Sequence, residues 1–254
     1  MPPAKSQMTA HLSAFQDAFR TGAPISVINY HNTPAYRVGQ YDRELTQVAR
    51  LFAPTTEDDL AAYLTRGIWP HAKPGVIIAL YNGYRNNYDV FRPLLEKYGL
   101  IGWFFATSGY VGCPAAQQLA FGREHNLKTI ADEYPDGRYA MSWEELRAMD
   151  GRQVIASHTR NHAQVTVADE AAMRSEIMGS QEDFCAHLGH PVRAFAWLFG
   201  SAYGETPLAD RHIDRAGYEF LFSNFMVQRL KPGSSPYDSA PPSSADKNEQ
   251  NIAI

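Results

Sequence analysis

Val154-Ile155-Ala156-Ser157-His158-Thr159-Arg160-Asn161-His162 closes a short apolar run with a serine, then sets two histidines four residues apart. That spacing puts both imidazoles on one face if the segment turns helically. An apolar strand that stops where polar groups begin is how the catalytic end of an α/β barrel reads. Neutral imidazole is the commonest metal ligand, which makes His158 and His162 half of a divalent-metal site. A bare H-x-x-x-H is equally the pattern of two loop histidines at a helix start, so the flanking sequence has to decide.

Upstream, Ile25–Tyr30 is a β-prone run that leaves His31 at a strand tip, and Val76-Ile77-Ile78-Ala79-Leu80 has the length of a buried parallel strand breaking at Tyr81-Asn82-Gly83. Thr56 with Asp59, and Ser142 with Glu145, read as capping boxes opening helices. A helix from about Tyr88 to Tyr98, stopped by Gly99, leads to a strand at Gly102–Ala106. Downstream, Asp169 caps a long helix to about Leu188, and Val192–Phe199 reads as a strand broken at Gly200. A helix from Thr206 to Ala216 and a last strand at Tyr218–Phe222 follow, ending at Ser223-Asn224. Strands alternating with helices mean βαβ units and a parallel sheet.

Composition narrows the class. With 254 residues and 44% hydrophobic content, the chain can bury a sizeable core. A net charge of -4 argues against electrostatic nucleic-acid binding. Two isolated cysteines, Cys113 and Cys185, provide neither a disulfide framework nor a cysteine zinc site. No apolar run approaches the roughly 18 residues of a membrane span. Met1–Gly22 lacks a signal-peptide core, so the protein reads as cytoplasmic. Three segments are expected: an N-terminal helical extension (1–22), a barrel domain (23–232) and a polar, disordered tail (233–254).

The order of motifs resembles the polysaccharide deacetylase family (carbohydrate esterase family 4). The likeness runs from about Ile25 to Leu230: Tyr30-His31, Lys73-Pro74-Gly75, Gly83-Tyr84-Arg85-Asn86-Asn87-Tyr88, Pro93–Leu100, Trp143-Glu144-Glu145-Leu146, Ser157–His162 and Phe195–Gly200. The resemblance implies a distorted (β/α) barrel with its site at the C-terminal ends of the strands. It also implies a divalent metal, zinc or similar, and a small-molecule or oligosaccharide substrate.

Several positions depart from that pattern, among them Leu198 where a proline is usual and Ala196 where some members have an arginine. The family's second strand ends in T-F-D-D-G, with a base and a metal-binding aspartate, where this chain has Ala79-Leu80-Tyr81-Asn82-Gly83. A phenol with pKa near 10 is a poor general base. Asn82 keeps a ligand oxygen without its charge, so a His158–His162–Asn82 set holds metal more weakly than one with a carboxylate. The family's late histidine has no counterpart, since His212, the last one, falls inside a helix. Substitutes for the missing groups are Tyr81, His31 and Glu205, the last ending a glycine-bracketed loop after a strand. Arg85 and Arg160 are candidates for binding an acidic substrate, or simple surface charges. Three functions follow: a deacetylase-like hydrolase of a non-peptide C–N bond in an N-acylated sugar or related molecule; a metal-independent, allantoinase-like ureide hydrolase; or a non-catalytic carbohydrate-binding protein.

Overall fold

The computed structural model describes residues 25–130, 132–224, 226–230 and 250–253. The N-terminal extension and most of the tail therefore lie outside the described residues. Seven mutually parallel strands form the body of one sheet: β1 (Ile25–Tyr30), β2 (Ala53–Pro54), β3 (Gly75–Asn82), β4 (Gly102–Ala106), β5 (Val154–Ser157), β6 (Ala194–Ala196) and β7 (Phe220–Phe222). Their order is β1-β3-β4-β5-β6-β7, with β2 beside the start of β3. Two antiparallel strands, β8 (Met226–Arg229) and β9 (Gln250–Ala253), extend it. The sheet curls as a half-barrel with helices packed on it, the distorted barrel the sequence implies.

The period-2 alternation of strands sorts side chains into two cores. Ile78 and Leu80, Phe104, Ile155, Phe195 and Leu221 face the outer helices. Those helices are α1 (Val38–Leu51), α3 (Arg92–Lys97), α6 (Trp143–Met149), α8 (Ser180–Leu188) and α9 (Pro207–Ala216). The intervening residues, among them Ala79, Trp103, Phe105, Ala156, Phe220 and Phe222, fill the inner face, where α2 (Glu57–Arg66) adds Leu60 and Leu64. Trp103 and Phe105 are fully buried, each contributing about 2–3 kcal/mol of apolar burial. This aromatic floor carries the strand tips above it.

Both capping boxes form: Thr56 Oγ1 accepts from the Asp59 amide at 3.0 Å and Ser142 Oγ from the Glu145 amide at 3.3 Å. Asp169 caps α7 (Glu170–Arg174), which runs through a π-helical turn at Ser175–Gly179 into α8. A second π turn, Asn87–Phe91, opens α3. Differences from expectation are local. The strand expected over Val192–Phe199 is only Ala194–Ala196, because the chain turns away through left-handed backbone at Phe199 (φ 55°) and Gly200 (φ 80°). Within the expected disordered tail, β9 pairs with β8, since a sheet edge offers unpaired N–H and C=O groups that a short polar segment satisfies as well as an apolar one. No described helix is long and apolar enough to cross a membrane.

Candidate active site

The tips of β1, β3, β5 and β7 deliver His31, Tyr81, Asn82, His158 and Asn224 to one cavity of 550 Å³, within the range of small-molecule sites. The two histidines come together without a helix. After β5 the chain is irregular, and Thr159 (φ 64°) and His162 (φ 59°) sit in left-handed backbone that a β-branched residue adopts only under constraint. The constraint is a dense set of bonds. The Gly109 amide donates to the Arg160 carbonyl at 2.7 Å, and a Cβ at Gly109 would lie 2.6 Å from that oxygen. Glu176, in the π turn before α8, accepts from the Asn161 amide (2.7 Å) and side chain (2.8 Å), while its own carbonyl accepts from the Arg160 amide at 3.1 Å. Arg160 pairs with Asp183 at 3.0 Å. The helical spacing argument is thus corrected: the imidazole centroids lie 5.2 Å apart, 70° between planes, through turns rather than a helix face.

Each imidazole is oriented from behind. His158 Nδ1 lies 3.0 Å from the Ala196 carbonyl and His162 Nδ1 2.8 Å from the His125 carbonyl. A carbonyl only accepts, so both Nδ1 atoms donate and both Nε2 atoms keep a lone pair. Burial, helped by the neighbouring His162, lowers the His158 pKa to about 3. Burial also lowers that of His162, and both rings stay neutral at physiological pH.

Asn82 is 4% exposed with φ 77°, a conformation asparagine tolerates. Its Nδ2 donates to the Tyr84 hydroxyl at 3.2 Å, and its Oδ1 is buried with no hydrogen-bond partner. Tyr84 also takes a backbone hydrogen bond from Lys128, whose carbonyl accepts from the Asn32 side chain. The turn at 125–128, after α5 (Ala115–Glu124), therefore supports His162, Asn82 and Asn32 together. An orphaned oxygen and two Nε2 lone pairs lining one cavity make a donor set that fits a divalent cation. No group of three His, Cys, Asp or Glu residues able to hold a metal occurs among the described residues, so a third ligand beside the two imidazoles would have to be the uncharged Asn82 oxygen.

Tyr81 stacks between His31 (centroids 5.3 Å) and Phe105 (5.1 Å), edge-on to His158. Burial raises its pKa well above the ordinary phenol value, so it remains a protonated donor. His31 lines the same wall as an exposed residue, its pKa lowered by partial desolvation against that wall. Asn87 fixes its backbone, donating to the His31 carbonyl at 2.7 Å.

Glu205 is not brought to the cavity. It is exposed, and its carboxylate accepts from the Ala202 amide at 3.2 Å, closing its own loop ahead of α9. Arg160 and Arg85 are not free for substrate either, since Arg85 pairs with Asp89 and Asp136. Sequence reasoning missed the supporting roles of Tyr84, His125, Lys128 and Glu176. These act through backbone groups or across long stretches of chain, and no local pattern marks them.

The family model for polysaccharide deacetylase matches residues 70–220. No curated protein matches the chain. Among solved structures, the Streptococcus pyogenes deacetylase PplD in complex with acetate superposes with a TM-score of 0.62 at 14% identity, covering 85% of this chain and 95% of that one. A de-N-acetylase from Aggregatibacter actinomycetemcomitans gives 0.60 at 16% identity (83% and 91%). IcaB from Ammonifex degensii gives 0.57 at 20% identity (85% and 89%). At these identities the likeness is one of fold, and it agrees with the strand-tip cavity described above. The matched domain spans more than half the sequence: this chain belongs to the polysaccharide deacetylase family, hydrolases of carbon–nitrogen bonds other than peptide bonds.

Proposed function

We propose that the protein removes an N-acyl group from an amino sugar, free or within an oligosaccharide, or from a related small molecule, with a divalent metal held by His158, His162 and Asn82. The observation that carries this reading is the shared cavity of two imidazoles with backbone-anchored Nδ1 atoms and the orphaned Asn82 Oδ1. The acetate complex of PplD and the de-N-acetylase among the structural relatives support an acyl amide as the bond cut.

A divalent metal, when bound, supplies Lewis-acid polarisation and acidifies water. The protein's own residues do the rest. His31, an exposed ring on the cavity wall whose pKa is lowered by partial desolvation, accepts the proton of the attacking water and returns it to the leaving amine. Tyr81, held protonated, donates to the carbonyl oxygen as negative charge develops there.

Elemental analysis of purified protein against His158→Ala, with acetate release from N-acetylated sugars set beside ammonia or urea release from ureides, tests the reading. Histidine-dependent zinc and acetate release support it. Ammonia or urea without acetate, or a metal content unchanged by the substitution, sinks it.

A further inference from the structure

We propose that the mouth selects an N-acylated substrate carrying a negatively charged group, carboxylate or phosphate, with Lys128 as the cation that receives it. The inference rests on the de-N-acylation reading and names its substrate class. Among the described residues that line the cavity there is no aspartate or glutamate. Polar lining comes instead from uncharged groups: five asparagines (Asn29, Asn32, Asn82, Asn126, Asn224), three histidines, Tyr81, Tyr84 and Ser223. Lys128 is the one charged side chain in that lining.

Lys128 is exposed on the rim, and no carboxylate lies within ion-pair distance of it among the described residues. Its backbone is fixed on both sides by the Asn32 side chain and the Tyr84 hydroxyl, so its place on the rim is set. Two carboxylates stand behind the wall rather than in it, each engaged by an asparagine: Glu133 by Asn86 and Glu176 by Asn161.

A cleft with low-dielectric walls focuses the field of whatever charge it holds. Two carboxylates in this mouth would repel an anion, whereas Tyr81 and Asn82 at those positions repel nothing. His158, His162 and Asn82 are all uncharged, so a divalent cation held by them would keep its whole charge. Both contributions favour a substrate that brings its own negative charge, and neither favours a neutral sugar.

Calorimetric titration of the full chain with N-acetylglucosamine, N-acetylglucosamine 6-phosphate and N-acetylmuramic acid, at low and high salt, tests this. At least one acidic sugar is expected to bind tenfold or more tighter than the neutral one, the phosphate and lactyl arms telling which anion is preferred. Raised salt should shrink that advantage. Lys128→Ala should cut that advantage several-fold and Lys128→Glu abolish it, read as the ratio of acidic-sugar to neutral-sugar affinity in the same variant. Equal affinity for all three sugars, no binding of any, or an acid preference indifferent to Lys128→Glu overturns the proposal. Acetate release from the neutral sugar at equal affinity would leave de-N-acylation standing without anion selection. Anion-selective binding with no acetate released from any sugar would overturn de-N-acylation alone.

Discussion

An amide oxygen at Asn82 keeps the lone pair of a carboxylate and gives up its charge. Restoring that charge is the direct probe of its role. In Asn82→Asp the backbone suits the new residue, because aspartate also tolerates positive φ, and the Tyr84 hydroxyl can turn from acceptor to donor. Zinc affinity measured by calorimetry should rise at least tenfold; an unchanged value would remove Asn82 from the ligand set. Tyr84→Phe tests the support behind it. The phenyl ring keeps the packing against Tyr110 but leaves Asn82 Nδ2 without its acceptor. Zinc affinity should fall about tenfold, the usual scale for a lost outer-shell partner. The stability cost should be roughly 1 kcal/mol in denaturant unfolding.

Between β5 and α8, structure is held by an irregular loop tied to a helix that swells into a π turn. Such turns release backbone carbonyls for other partners, and here the Glu176 carbonyl takes the Arg160 amide while its carboxylate takes Asn161. Glu176→Ala removes a buried carboxylate and two hydrogen bonds to it, at an expected cost of roughly 2–3 kcal/mol in urea or guanidinium unfolding. Because the same bonds force Thr159 and His162 into left-handed backbone, zinc binding should weaken in the same variant. Thr56→Ala offers the contrast: loss of the α2 cap costs about 1 kcal/mol and leaves zinc affinity unchanged, since α2 caps away from the mouth. A weakened zinc site in Thr56→Ala would mean that general softening, not the loop, sets affinity. The caps and β4 were readable residue by residue, because a cap is a contact between neighbours in sequence. Both π turns and the early stop of β6 were not, because they depend on what the helix or strand meets across the fold.

Taken whole, the metal-free molecule should be acid-sensitive in a defined direction. His158 titrates near 3 when folded and near 6.5 when unfolded, and His212, 3% exposed with neither ring nitrogen partnered, is also lowered by burial. Below pH 6.5 the unfolded chain binds protons that the folded one refuses, so stability is full above pH 6.5 and declines as pH falls toward the folded values. For His158 alone the loss reaches roughly 2 kcal/mol by pH 5. Denaturant midpoints at pH 7 and pH 5 check this, and His212→Gln should flatten part of the slope without touching the mouth. A wild-type midpoint that is level over that interval would contradict the neutral, buried state of both rings.

What the sequence by itself determined was the alternation of strands and helices, the strand tips at which chemistry would gather, and the presence there of His31, Tyr81, Asn82, His158 and His162. Those features rest on local patterns: apolar periodicity, caps, and motifs only a few residues long. Tertiary structure alone decided which of them meet and in what state. The His125 carbonyl reaches His162 across 37 residues and the Lys128 carbonyl reaches Asn32 across 96, while Glu205 turns into its own loop. Distance through space, desolvation and the charge left in a cavity are properties of the folded chain, and no linear spacing encodes them.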